Sequence, residues 1–148
     1  ARLPDFGGPH LHPTAGASAV GARRFLVAYN INLAGADLEA ARQIARAVRA
    51  SSGGLPHVKA LGLLLPSRNR AQVSMNLTDI EVSPPQKAFE AVRKEAARRG
   101  VELAEGELIG LVPRAALAAG SEWLEHLGSR SASPLLEDRL REAGLRPG

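Results

Sequence analysis

No cysteine occurs anywhere in this sequence, which excludes disulfides, thiolate nucleophiles and thiolate metal sites, and fits a reducing compartment. Aromatic residues are scarce at 3%, so a core has to be built mainly from aliphatic side chains. No apolar run approaches the roughly 18 residues that a membrane span needs. The opening residues also lack the basic-then-apolar order of a signal peptide. Together these absences lead us to expect a cytoplasmic protein with no membrane partner. Lysine is nearly missing as well: 3 lysines stand against 16 arginines, within a net charge of +4. Genome composition or heat adaptation explains that bias, as does a field that attracts polyanions; charge alone does not choose between them. The chain opens at Ala1 and its sole methionine is Met75, so we read it as a partial chain.

What is present is enough for one folded domain: 148 residues, 45% of them hydrophobic. Phe25 to Asn32 alternates as a strand does. Asp37 then offers a helix N-cap, and Leu38, Ala41, Ile44, Ala45 and Val48 recur at helical spacing until Ser51-Ser52-Gly53-Gly54. Val58 to Leu65 is a second strand, Ser67 to Arg70 a hairpin connection, and Ala71 to Thr78 a third strand. Ser83, Pro84 and Gln86 spell a capping box at the start of a second helix, which Gly100 closes. Val101–Leu103 and Glu107–Val112 predict a last strand broken at Glu105-Gly106, followed by a helical stretch from Pro113 to Ala119. Ser129 to Ser133 reads as a linker, and Pro134 to Ala143 as a short final helix. The order βαββαβ predicts an α+β, ferredoxin-like sandwich: a four-stranded antiparallel sheet, two helices on one face, and a C-terminal helical extension. We divide the chain into a linker and ligand loop (1–22), the sandwich (23–120) and a helical tail (121–148).

In this topology the first and third strands lie side by side at the sheet centre. Alternation puts Phe25, Val27, Tyr29 and Ile31 on one side with Val73, Met75 and Leu77, which predicts the helix-covered core. The uncovered side then carries Asn30, Asn32, Gln72, Ser74 and Asn76, with Arg24 at its edge. A solvated face is the simplest account of polar strand residues. Yet asparagine is disfavoured in strands, and solvated strands favour Thr, Lys, Glu and Arg. Carboxamides supply donors and acceptors without charge, which suits a polar ligand whose groups alternate in the same way. Arg24 is either an exposed edge charge or a bidentate partner for a ligand carboxylate.

The loop Gly7, Gly8, Pro9, His10, Leu11, His12, Pro13, Thr14, Ala15, Gly16 feeds straight into the first strand. Its glycines allow close backbone approach to a ligand and its prolines stiffen it, although an interdomain linker would read similarly. The histidines give no catalytic assignment. His10 and His12 have no carboxylate neighbour beyond Asp5, His57 reads as an exposed turn residue, and His126 as a surface or packing residue beside Trp123. No pair has metal-site spacing, and no Ser, His and Asp suggest a nucleophilic triad. An RNA-recognition module shares the βαββαβ order, but it stacks bases on aromatics of the first and third strands. Here the third strand has none, so nucleic acid is not an expected partner.

Asp5-Phe6-Gly7, Gly16-Ala17, Gly21-Ala22-Arg23 followed by a basic residue and Phe25, and Asn30-Ile31-Asn32-Leu33 occur in an order that resembles the glutamate formiminotransferases. Ala71-Gln72-Val73-Ser74 with Asn76-Leu77, and Gly110-Leu111-Val112-Pro113, extend the resemblance over Pro4 to Leu117. It includes the transferase half of formiminotransferase-cyclodeaminase. The resemblance implies the C-terminal subdomain of an enzyme that moves the formimino group of N-formimino-L-glutamate to tetrahydrofolate, the co-substrate, in histidine degradation. It further implies that the loop from Gly7 to Gly16 contacts folate, with Gly7, Pro13 and Gly16 matching most clearly. His10, Leu11, His12, Thr14 and Ala15 depart from the mammalian pattern, so backbone contacts are the safer expectation there. The family's catalytic histidine belongs to an N-terminal subdomain, the expected partner, whose sheet faces this one across a tunnel. No catalytic residue and no metal are therefore assigned here; a homodimer is expected, and the chain alone should transfer little. Two other readings stay open: a non-catalytic folate or small-metabolite binding domain, and a related enzyme acting on 5-formyltetrahydrofolate.

Overall fold

The computed structural model describes residues 4–117, 122–128 and 135–146. Its elements are β1 (Val27–Leu33), α1 (Leu38–Val48), β2 (Val58–Leu65), β3 (Arg70–Leu77), α2 (Pro85–Ala97) and β4 (Leu103–Ile109). The strands form one four-stranded sheet in the order β2-β3-β1-β4, with every neighbouring pair antiparallel. The expected ferredoxin-like α+β sandwich is what the chain adopts. β1 and β3 share the centre, with Asn30 opposite Ser74 and Asn32 opposite Gln72.

Local chemistry starts α1 as the sequence predicts. The Asp37 carboxylate accepts from the Ala40 amide at 2.9 Å, and Ala41, Ile44, Ala45 and Val48 turn one buried face to the sheet. The approach over β2 is close enough to need a glycine. A Cβ on Gly62 would lie 2.3 Å from the Arg42 backbone nitrogen. Val27, Tyr29, Ile31, Val73, Met75 and Leu77 fill the layer beneath the helices.

Several expectations give way to tertiary contacts. β1 begins at Val27 rather than Phe25, and Phe25 is half exposed instead of in the core. The capping box does not form. Ser83 is buried and its hydroxyl donates to the Pro56 carbonyl at 2.6 Å, while Pro84 takes the cap position without a side-chain bond. Gln86 is used elsewhere: its Nε2 donates to Glu90, and its Oε1 accepts from the Trp123 amide. β4 is one strand through Glu105-Gly106 and ends at Ile109, but its pairing with β1 shifts beside the expected break: Ile31 faces Gly106 and Leu33 faces Leu103, which leaves one extra residue on β4. After Pro113 a single 3-10 turn (Arg114–Leu117) stands where a longer helix was expected, and Ala118 and Ala119 lie outside the described residues.

Beyond it, α3 (Glu122–Glu125) drops Trp123 into the core, fully buried and edge-to-face with Tyr29 at a centroid distance of 5.5 Å. The backbone then pairs with β4. The Gly106 amide donates to the His126 carbonyl at 2.8 Å, and the Gly128 amide donates to Gly106 at 3.0 Å. α4 (Leu136–Glu142) is the expected final helix, shortened; the linker from Ser129 and Pro134 lie outside the described residues. Glu137 accepts from the Arg114 amide at 2.9 Å, and Asp138 from the Arg114 guanidinium at 2.8 Å.

Candidate functional site

The sheet face opposite the helices is where sequence and structure converge. Asn30 and Ser74 are half-buried neighbours across β1 and β3, and Asn76 follows them, exposed. The other two carboxamides are not at the surface: Asn32 is fully buried and Gln72 nearly so. A charged layer covers them. Arg68, from the one-turn connection after β2, pairs with Glu107, and Arg70 donates to Glu105 at 2.7 Å. Beneath these pairs Gln72 Nε2 donates to Asn32 Oδ1 at 2.9 Å, and Asn32 Nδ2 donates to Glu105 at 3.4 Å. The Glu105 carboxyl is held below the usual carboxylate range, first by its own backbone amide and then by Arg70 and Asn32, against the cost of desolvation.

The carboxylates and arginines of this layer were missed in the sequence. A signal existed, because β4 alternates Glu105, Glu107 and Ile109 onto the side that faces Asn30. Reading β4 as broken at Glu105-Gly106 hid that phase.

A groove of about 460 Å³ adjoins the face at the β2 edge, lined by Arg49, Ser51, Lys59, Leu61, Ser74 and Asn76. A hollow of about 570 Å³ opens on the other side of the molecule, between Phe89, Arg93, Glu102, Glu122 and His126. The first is the better candidate despite its size, since it shares Ser74 and Asn76 with the predicted patch.

The loop residues remain exposed from Pro4 through Phe25. Gly7 and Gly16 take positive φ values of 90° and 66°, conformations open to glycine at no steric cost. Between His12 and Gly16 the chain folds into a tight turn, with the Gly16 amide donating to the His12 carbonyl at 3.0 Å. His12 Nδ1 accepts from the Thr14 and Ala15 amides at 3.3 Å and 3.1 Å, so this ring organises its own loop. Arg24 lies outside β1, and its guanidinium pairs with Glu81 and approaches Asp79 at 3.7 Å. Those carboxylates, Glu81 foremost, raise its pKa further above its ordinary value.

His57 sits exposed at φ 58°, as expected of a turn. His126 is half-buried against Phe89 at 5.0 Å, and its Nε2 finds no partner among the described residues. Burial lowers its pKa, with Glu105 opposing. Among the described residues no group of three or more His, Asp or Glu side chains is placed to hold a metal ion. Tyr29, the aromatic of the β1 centre, is buried on the helix side, away from the open face.

The family model for the formiminotransferase domain matches residues 28–139. The chain belongs to the formiminotransferase domain family. Among its curated relatives, the glutamate formimidoyltransferase of Thermoplasma acidophilum is 44% identical over 140 residues, covering 95% of this chain and 46% of the relative. That of Streptococcus pyogenes is also 44% identical, over 81% of this chain and 40% of the relative. The formimidoyltransferase-cyclodeaminase of Mus musculus is 40% identical over 78% of this chain and 22% of the relative. The chain thus spans about half the length, or less, of the formiminotransferase relatives it matches.

Proposed function

We propose that this chain is the folate-binding half of a glutamate formimidoyltransferase, which moves the formimino group of N-formimino-L-glutamate to tetrahydrofolate in histidine degradation. The observation that carries this reading is the uncovered sheet face. Half-buried Asn30 and Ser74 and exposed Asn76 offer uncharged donors and acceptors to a polar ligand, above a floor in which Asn32 and Gln72 bond to each other. In the transfer, a folate nitrogen attacks the formimino carbon, the carbon–nitrogen bond to glutamate breaks, and a proton passes from the folate nitrogen to the glutamate nitrogen. Among the described residues no strand of the sheet carries a histidine to relay that proton. The relay is assigned to an N-terminal half whose sheet faces this one, and the loop from Gly7 to Gly16 is the folate-contacting segment between them. Exposed Phe6, Leu11 and Val20 in the linker support such a partner, because a second surface would cover them. We place the complete enzyme in the cytoplasm as a homodimer.

Calorimetric titration with 5-formyltetrahydrofolate tests the reading, on the chain alone and with an N-terminal formiminotransferase half added in trans. Calorimetry is the right probe because the buried Trp123 reports on the tail and Tyr29. Binding in the combined sample supports a shared site. Tight binding by the chain alone favours a stand-alone folate-binding domain, and no binding in either sample overturns the proposal.

A further inference from the structure

Glu107 presents a chemical problem that the fold does not require. It lies on the open sheet face opposite Asn30, yet it is only 6% exposed. Burying a carboxylate is costly, and an apolar pair in place of a buried ion pair is often neutral or stabilising. Stability is therefore a weak reason for Glu107. Its protein partners are also unequal. Gln72 Nε2 reaches Oε2 from the neighbouring strand at a long 3.4 Å. Arg68 binds Oε1 from the solvent side, on a connection that ends at Asn69 in the left-handed region, and is one-third exposed.

The anion is thus fixed in the sheet, and the cation facing it is the group that can withdraw. A guanidinium is a planar, delocalised N–C–N cation. The formimino group of N-formiminoglutamate, when protonated, is an amidinium with the same N–C–N fork. We infer that Glu107 is a specificity-determining residue that receives the amidinium end of the one-carbon donor, and that Arg68 is an internal placeholder which the donor displaces. This rests on the functional reading above. The carboxylate takes the amidinium N–H groups and so distinguishes a charged amidine from a neutral formyl group, while the Asn30 and Gln72 carboxamides border the same spot. Filling Glu107 with Arg68 keeps the buried charge compensated while the site is empty.

The test uses the ¹⁵N-labelled chain and formamidinium chloride, with formamide and ammonium chloride as controls at matched ionic strength. The signals followed are the Gln72 side-chain amide and the backbone amides of Asn30 and Glu107. Saturable shifts with formamidinium, absent with both controls, are expected. Arg68→Gln removes the competitor and should tighten formamidinium binding several-fold, as expected when a competent state becomes more populated. Glu107→Gln, nearly isosteric, should abolish the shifts while the dispersed spectrum persists. Formamidinium that fails to bind both the wild type and Arg68→Gln overturns the inference. So do equal shifts with formamide, or unchanged binding in Glu107→Gln. If 5-formyltetrahydrofolate binds while formamidinium does not, only this inference fails; loss of folate binding strikes the functional reading instead.

Discussion

Gln72 donates its side-chain amide to the Asn32 carbonyl at 2.9 Å, across the two central strands and beneath a layer of arginines and glutamates. That bond makes the open face a layered structure, with a carboxamide floor and a charged cover. Asn32 joins the two levels, since its own amide reaches Glu105 at 3.4 Å. A ligand entering here meets Asn30, Ser74 and Asn76 directly, and reaches the floor only by parting the ion pairs.

Asn32→Leu should therefore destabilise the fold although it adds apolar bulk. It strands the buried Gln72 donor, and one unsatisfied buried group costs about 1–3 kcal/mol. Urea denaturation at neutral pH measures this. An unchanged midpoint would show that Gln72 rotates fully onto Glu107.

Gly62→Ala bears on the helix–sheet approach. A Cβ there falls 2.3 Å from the Arg42 backbone nitrogen, and backbone yields less readily than a side-chain end. A loss of about 1–3 kcal/mol, the usual cost of overpacking, is expected in thermal melts. Wild-type stability would mean that α1 slides along β2 without penalty.

Acid should weaken the domain in two separate windows. Burial holds His126 below its ordinary 6.5. The unfolded chain then binds its proton first, so stability is complete above that pH and declines as pH falls through it. His126→Gln should flatten this first window. Glu105 is likewise depressed, by its backbone amide and then Arg70, so the stability it contributes holds above the ordinary 4.5 and fades as pH drops through its lowered value. Melts from pH 8 to pH 3 on the wild type and on His126→Gln separate the windows; a superimposable first window removes His126 from the account.

Arg24→Ala distinguishes a ligand contact from a surface tie. The Arg24–Glu81 pair is exposed on both sides, so its removal should leave stability nearly unchanged, as is usual for such pairs. If the guanidinium leaves Glu81 for a folate carboxylate, affinity for 5-formyltetrahydrofolate in the two-half sample falls about tenfold or more, the effect of losing one charge-assisted bond. Unchanged affinity assigns Arg24 to the tie alone.

The sequence by itself determined the strands, helices and topology. Period-two alternation and the Asp37 cap are local features, and β1, α1, β2 and β3 follow from them. The identity of the open face was legible for the same reason, because alternation alone puts Asn30, Asn32, Gln72, Ser74 and Asn76 together. What only the tertiary structure decided was which of several possible partners each polar group takes. Ser83 carries the letters of a helix cap, yet the Pro56 carbonyl 27 positions away competes for its hydroxyl and wins. Trp123 could have served a partner, but the space beside Tyr29 and the open edge of β4 draw the tail back onto the domain. Arg68 and Glu107 stand 39 positions apart, and only the closing of the sheet sets that guanidinium over that carboxylate. Hydrogen bonds and ion pairs between distant residues depend on three-dimensional proximity, for which one-dimensional spacing holds no signal.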